Sequence, residues 1–102
     1  MDKAPSISLD EHTAAHVAEL FRAFSDTSRV RIISVLTRVE MNVGTLAQAV
    51  GISESAVSHH LRSLRQMRLV QARRYGKEVY YQVEDEHIIA LFSQGVKHVQ
   101  DG

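Results

Sequence analysis

Cysteine is absent from the 102 residues. That removes a disulfide framework, a thiolate metal site and a cysteine nucleophile together. Proline occurs once, at Pro5. No apolar run approaches the ~20 residues needed to span a bilayer, so no membrane partner is expected. The first residues, Met1-Asp2-Lys3-Ala4-Pro5, have no apolar stretch behind a basic start, which argues against a secretory signal and for the cytoplasm. There is no net charge either: 12 basic residues balance 12 acidic ones. What is present looks globular, with 44% hydrophobic and 24% charged residues, and the length suits one domain.

The balanced charge hides segregation. Between His59 and Lys77 stand Arg62, Arg65, Arg68, Arg73, Arg74 and Lys77 with no acid among them; Glu78, Glu84, Asp85 and Glu86 follow. A basic stripe of this kind is the footprint of phosphate contact, and a solvated helix face would leave the same trace.

Residues 1–9 lack periodicity and read as a mobile tail, leaving 10–102 as the folded domain. From Asp10 the pattern turns helical, with Val17, Leu20, Phe21 and Phe24 at helical spacing. Asp26 or Ser28 caps a second helix that is expected to reach about Arg38, with Ile32, Ile33, Leu36 and Val39 inward. A short helix follows with Leu46, Ala47 and Val50 inward, and Gly51 ends it in the left-handed conformation open to glycine. Ile52 plugs the corner, and Ser53 caps a helix from Glu54 to about Met67. Two helices joined by a tight glycine turn make a helix-turn-helix. Leu69 to Arg74 and Glu78 to Val83 then alternate as strands around a Tyr75-Gly76-Lys77 loop, a basic hairpin or wing. A last helix runs from about Asp85 to the end, with Ile88, Leu91, Phe92, Gly95, Val96 and Val99 on its apolar side. The fold class is mainly α with a β-hairpin wing.

At about 100° per residue, Val57, Leu61 and Leu64 share one face of the 54–67 helix. Ser55, Ser58, His59, Arg62 and Gln66 gather opposite. Small hydroxyl residues let a backbone approach the major groove, where Arg reads guanine and Gln reads adenine. Arg65, Arg68, Arg73, Arg74 and Lys77 suit phosphates, which position without specifying. An ordinary amphipathic helix with a wet face is the bland alternative; the lack of acid after Glu54 and the basic wing speak against it. His60, bordering the core face, is expected to be packed and hydrogen-bonded.

The last helix carries a second signal. His87 and His98 are 11 residues apart, about three turns, so both project from nearly one side. The same spacing is a rise of ~16 Å, far more than ~2 Å zinc–nitrogen bonds allow within one chain. A second copy of the helix running antiparallel would bring His87 of one chain to His98 of the other, making two identical sites by two-fold symmetry. Asp85 and Asp101 could complete two imidazoles with two carboxylates, a tetrahedral zinc set. Asp85 is equally a good N-cap, and His98 suits a helix C-terminus as a cation, so spacing alone leaves both readings open.

Taken together, the sequence resembles the ArsR/SmtB family of metal-responsive bacterial repressors over about residues 15–101. The resemblance rests on Phe24-Ser25-Asp26-Thr27-Ser28-Arg29, on Val43-Gly44-Thr45-Leu46-Ala47 and on Ser53-Glu54-Ser55-Ala56-Val57-Ser58-His59-His60-Leu61. It continues through Leu69-Val70, the Gly76 wing, Val79-Tyr80-Tyr81 and Asp85-Glu86-His87-Ile88. It implies a winged helix-turn-helix homodimer joined through its first and last helices. Metal-free protein would hold double-stranded operator DNA of dyad symmetry and let go on binding metal. It implies Asp85, His87 and His98 as ligands at two intersubunit sites per dimer. Asp101, in place of the family's Glu or His, is one methylene shorter than Glu and next to last in the chain. A second family site uses cysteine where Met41 and Asn42 stand, so that site is expected to be absent. The family's usual Asp-Pro before the second helix is Asp26-Thr27 here. Zinc suits the ligand set best; cobalt and nickel accept the same donors. The rival reading is a metal-independent DNA-binding repressor. A zinc hydrolase is more remote, because a full four-ligand shell leaves no open position and no separate general base is in view. Neither an enzyme nor a small organic substrate is expected.

Overall fold

A computed structural model describes residues 7–102 of the chain. The element order is α1 (Glu11–Ala23), α2 (Thr27–Leu36), α3 (Val43–Val50), α4 (Glu54–Gln66), β1 (Val70–Tyr75), β2 (Glu78–Val83) and α5 (Glu86–Asp101). The tail expected over 1–9 lies mostly outside the described residues; Ile7 to Leu9 are exposed and belong to no helix or strand.

Each helix starts on a side chain that accepts an otherwise open backbone N–H. Asp10 Oδ2 accepts from Thr13, Asp26 Oδ2 from Arg29, Asn42 Oδ1 from Thr45 and Ser53 Oγ from Ala56. Asp85 Oδ1 accepts from both His87 and Ile88. The carboxyls of Asp10 and Asp26 are held below the usual carboxylate range. For Asp10 the chief cause is the Thr13 side chain, then its backbone N–H; for Asp26 it is the Arg29 backbone N–H. Gly51 ends α3 at φ 79°, a left-handed position that costs glycine nothing.

The core is built by the middle of the chain. Ile32, Ile33 and Leu36 of α2, Leu46, Ala47 and Val50 of α3, and Val57, Leu61 and Leu64 of α4 pack with Leu69, Val70 and Val83. β1 and β2 pair antiparallel from Val70↔Val83 to Tyr75↔Glu78, and a bridge from Met41 to Tyr81 ties the hairpin to the segment before α3. The two outer helices differ. α1 buries only Ala23 and α5 buries no residue, although Ile88 and Phe92 rest against the core. Phe24 and Phe92 meet with ring centroids 6.2 Å apart, so the end of α1 comes against α5.

Three expectations are corrected. α2 stops at Leu36 rather than near Arg38, and Val39 is 48% exposed instead of inward. The chain leaves the helix there to form the Met41–Tyr81 bridge. The hairpin loop is two residues, Gly76-Lys77, because Tyr75 pairs with Glu78; Gly76 supplies the positive φ of 63° that so tight a turn requires. Leu69 precedes the first strand as a buried link.

Candidate nucleic-acid interface and metal centre

α4 is set by two opposing demands. Val57, Leu61 and Leu64 are at most 1% exposed and anchor it to the core. On the outside, Ser55, His59, Arg62 and Gln66 are exposed and Ser58 is half-buried. None of these five side chains hydrogen-bonds to another described residue, so their polar atoms face outward unspent. Arg65, Arg73, Arg74 and Lys77 are exposed as well. No described salt bridge engages any of these basic groups, whose charge stays available to an external anion.

The wing shows details that composition did not. Arg73 Nη1 donates to the Tyr75 hydroxyl at 3.3 Å, which pushes the guanidinium pKa up, and Tyr75 and Tyr80 rings meet edge-on at 5.5 Å. Residues two apart in a strand share a face, and that spacing was the available signal. Asn42 does double duty: besides capping α3, its Nδ2 donates to Glu78 Oε1 at 3.0 Å, tying the turn end of the wing to the start of the helix-turn-helix. His60 is half-buried, but its Nε2 is 3.9 Å from Asp26 Oδ2, an ion-pair separation rather than the expected hydrogen bond. Arg68, just past α4, sits at φ 60°, a left-handed position unusual for a residue with a side chain.

All four candidate ligands on α5 are exposed. His87 has a side chain 95% exposed, with Nδ1 3.5 Å from Asp85 Oδ1. Asp85 caps the helix with that same oxygen, leaving Oδ2 without a hydrogen-bond partner among the described residues. The His98 ring has no hydrogen-bond partner among the described residues. One chain brings Asp85 to His87 at the helix start and places Asp101 one turn beyond His98 at its end. It does not join the two pairs, and no group of three or more ligand-type side chains is gathered among the described residues. Beside the far pair runs an apolar groove of about 770 Å³ between α1 and α5, lined by Phe21, Phe24, Leu91, Phe92, Val96 and Val99 and edged by His98. Phe21 and Val99 in it are 52% and 76% exposed.

Residues 26–72 match the arsR family of bacterial regulatory proteins, a span that runs from the α2 cap into β1. The transcriptional repressor SmtB homolog of Synechocystis sp. is 47% identical over 95 residues, which cover 93% of this chain and 70% of that protein. The chain belongs to the arsR family. A second relative in the ArsR/SmtB group, the HTH-type transcriptional regulator NmtR of Mycobacterium tuberculosis, is 38% identical over 92% of this chain and 78% of its own length. Among solved structures, the homodimeric winged helix-turn-helix DNA-binding domain from Mycobacterium bovis superposes with a TM-score of 0.79. It is 31% identical, covering 93% of this chain and 90% of that one. Membership makes this chain a winged-helix transcriptional regulator of the metal-sensing ArsR/SmtB type, not an enzyme. No helix among the described residues is long and apolar enough to cross a membrane.

Proposed function

We infer that the chain is a zinc-responsive repressor of the cytoplasm that holds operator DNA as a metal-free homodimer and releases it when zinc binds. The observation carrying this reading is the division of α5 into two exposed half-sites. Asp85 and His87 stand at one end, His98 and Asp101 about three turns away, and no other described side chain completes either pair. Two imidazoles and two carboxylates are a sound donor set for zinc, with cobalt and nickel as chemical substitutes. The residues fit the ion only if the pairs come from different subunits.

The apolar groove beside His98 supplies the reason for two copies to meet. Burying Phe21, Val96 and Val99 against a partner removes apolar surface from water, at roughly 25 cal/mol per Å². With α5 antiparallel to its twin, Asp85 and His87 of one protomer face His98 and Asp101 of its partner, and symmetry makes two sites. The helix pair then carries two α4 helices, which must sit about 34 Å apart to enter successive major grooves. Ser55, Ser58, His59, Arg62 and Gln66 face base edges of a dyad-symmetric operator; Arg65, Arg73, Arg74 and Lys77 face phosphates.

The link between the sites is the far end of α4. By family resemblance, the second ring nitrogen of His98 donates to a backbone carbonyl near Arg68. The Arg68 carbonyl accepts no backbone hydrogen bond in the described structure, so it is free for that role. A ligating histidine held in this way sets its own orientation through its acceptor. Bound zinc would fix the orientation of His98, whose bond to the end of α4 would then alter the spacing of the reading helices. A few kcal/mol of preference for the mis-spaced arrangement suffices to empty the operator.

The test is fluorescence anisotropy of labelled operator DNA, selected by the metal-free protein and then titrated with zinc. Zinc should lower the anisotropy to that of free DNA for the native chain and leave it high for His98→Ala. One observation favours the rival, metal-independent repressor: Asp85 already serves as a helix cap without any ion. Retained DNA at saturating zinc would decide for that reading.

A further inference from the structure

A pair of histidines on α1 lies outside the α5 reading. His12 and His16 stand one helical turn apart and both are exposed. Their ring centroids are 4.4 Å apart, with the planes inclined at 62°. His16 Nδ1 lies 2.9 Å from the His12 carbonyl oxygen. A carbonyl only accepts, so this nitrogen carries the proton and the lone pair of His16 is at Nε2. That is the arrangement of a metal-ligating histidine, with one ring nitrogen tied to a backbone acceptor and the other open. Glu19 follows three residues after His16 and falls within about 20° of His12 around the helix axis. Imidazoles at i and i+4 of one helix, with a carboxylate from a later turn, are a donor set that zinc accepts.

The electrostatics suit a cation. The start of a helix is its positive end and works against one. Asp10 and Glu11 stand at that end, and no lysine or arginine occurs between Ile7 and Phe21. The bonds from Thr13 hold the Asp10 carboxyl below the usual carboxylate range.

We propose that His12 and His16 form a second divalent-cation site, independent of α5, in which both imidazoles chelate one zinc ion within a single chain. Glu19 and water complete the shell. No three ligand-type groups are gathered there beforehand, so Glu19 must rotate to join and the site is weaker than one assembled in advance. Unlike the α5 sites, this one needs no partner subunit. Its occupancy cross-links two turns of α1 and stiffens the start of the helix.

The test uses the full chain with His87→Ala and His98→Ala, which removes both α5 imidazoles, titrated with zinc alone by calorimetry. One zinc per chain should bind, and adding His16→Ala should remove it. Both substitutions on α1, His16→Ala and His12→Ala, favour helix by propensity, and circular dichroism checks that the helix content holds. Imidazole nitrogen NMR of the unsubstituted chain gives a second reading. His16 Nε2 should shift on adding zinc while its Nδ1 proton remains. A chain lacking the α5 histidines that binds no zinc overturns the proposal, as does binding that survives His16→Ala. Neither outcome touches the α5 reading, which is read by operator release.

Discussion

At the scale of single residues, the caps carry more of the account than any buried contact. Ser53 starts the reading helix by accepting from Ala56 at 3.0 Å. Ser53→Ala should lower stability by about 1 kcal/mol in urea unfolding and fray the start of α4. Arg68 holds a left-handed backbone that a side chain disfavours. Arg68→Gly should raise stability by up to about 1 kcal/mol, since relief of the steric cost outweighs the added freedom of the unfolded chain. A lower urea midpoint would contradict that. Asp26 sets a pH dependence. Its folded pKa is below the ordinary 3.8, so its contribution is present above that value and is lost as pH falls through the folded pKa. Asp26→Asn keeps a capping oxygen but removes the titration. The urea midpoint of Asp26→Asn should therefore vary less than that of the native chain below about pH 4.

At the scale of elements, α4 and the wing divide the work of binding. Arg62 lies mid-helix on the exposed polar face of α4; if it reads a base as proposed, Arg62→Ala should cost about 1–3 kcal/mol on the selected operator and little on unrelated DNA. Arg74 and Lys77 flank the turn of the wing. Lys77→Ala should weaken binding to all sequences alike and reduce the slope of log affinity against log salt by about one. An anisotropy series across salt concentrations checks both. Most of this architecture was legible in the chain because its signals are local. Gly51 and Ser53 bracket a turn, Val57, Leu61 and Leu64 keep helical spacing, and Gly76 sits between two β-rich runs. What was not legible depends on pairing across the fold. Val39 kept the apolar pattern of α2, yet the chain leaves the helix to form the Met41–Tyr81 bridge. The register that shortens the loop to Gly76-Lys77 is a property of two strands, not of either one. Asn42 stands where the family resemblance implies a cysteine, but its reach to Glu78 across 36 positions has no sequence signature. For the candidate metal ligands, residue type and spacing were legible on α5. Their meeting was not, because the described chain keeps the two pairs at opposite ends of that helix.

At the scale of the whole molecule, the chain has a finished middle and unfinished ends. α2, α3 and α4 bury their apolar faces among themselves, whereas α1 and α5 leave Phe21 and Val99 open beside a groove. Exposed apolar surface of this extent marks a contact surface. Val99→Asp should leave the monomer folded and shift sedimentation toward the monomer; an unchanged dimer would place the contact elsewhere. The central claim is that zinc held by α5 and operator held by α4 compete through the shape of one dimer. Linkage makes that competition reciprocal. The most direct measurement is zinc affinity for the free dimer against zinc affinity for the operator-bound dimer, under the same buffer and salt. The account predicts weaker zinc binding on the operator, by the same factor as zinc weakens operator binding; equal affinities would contradict it.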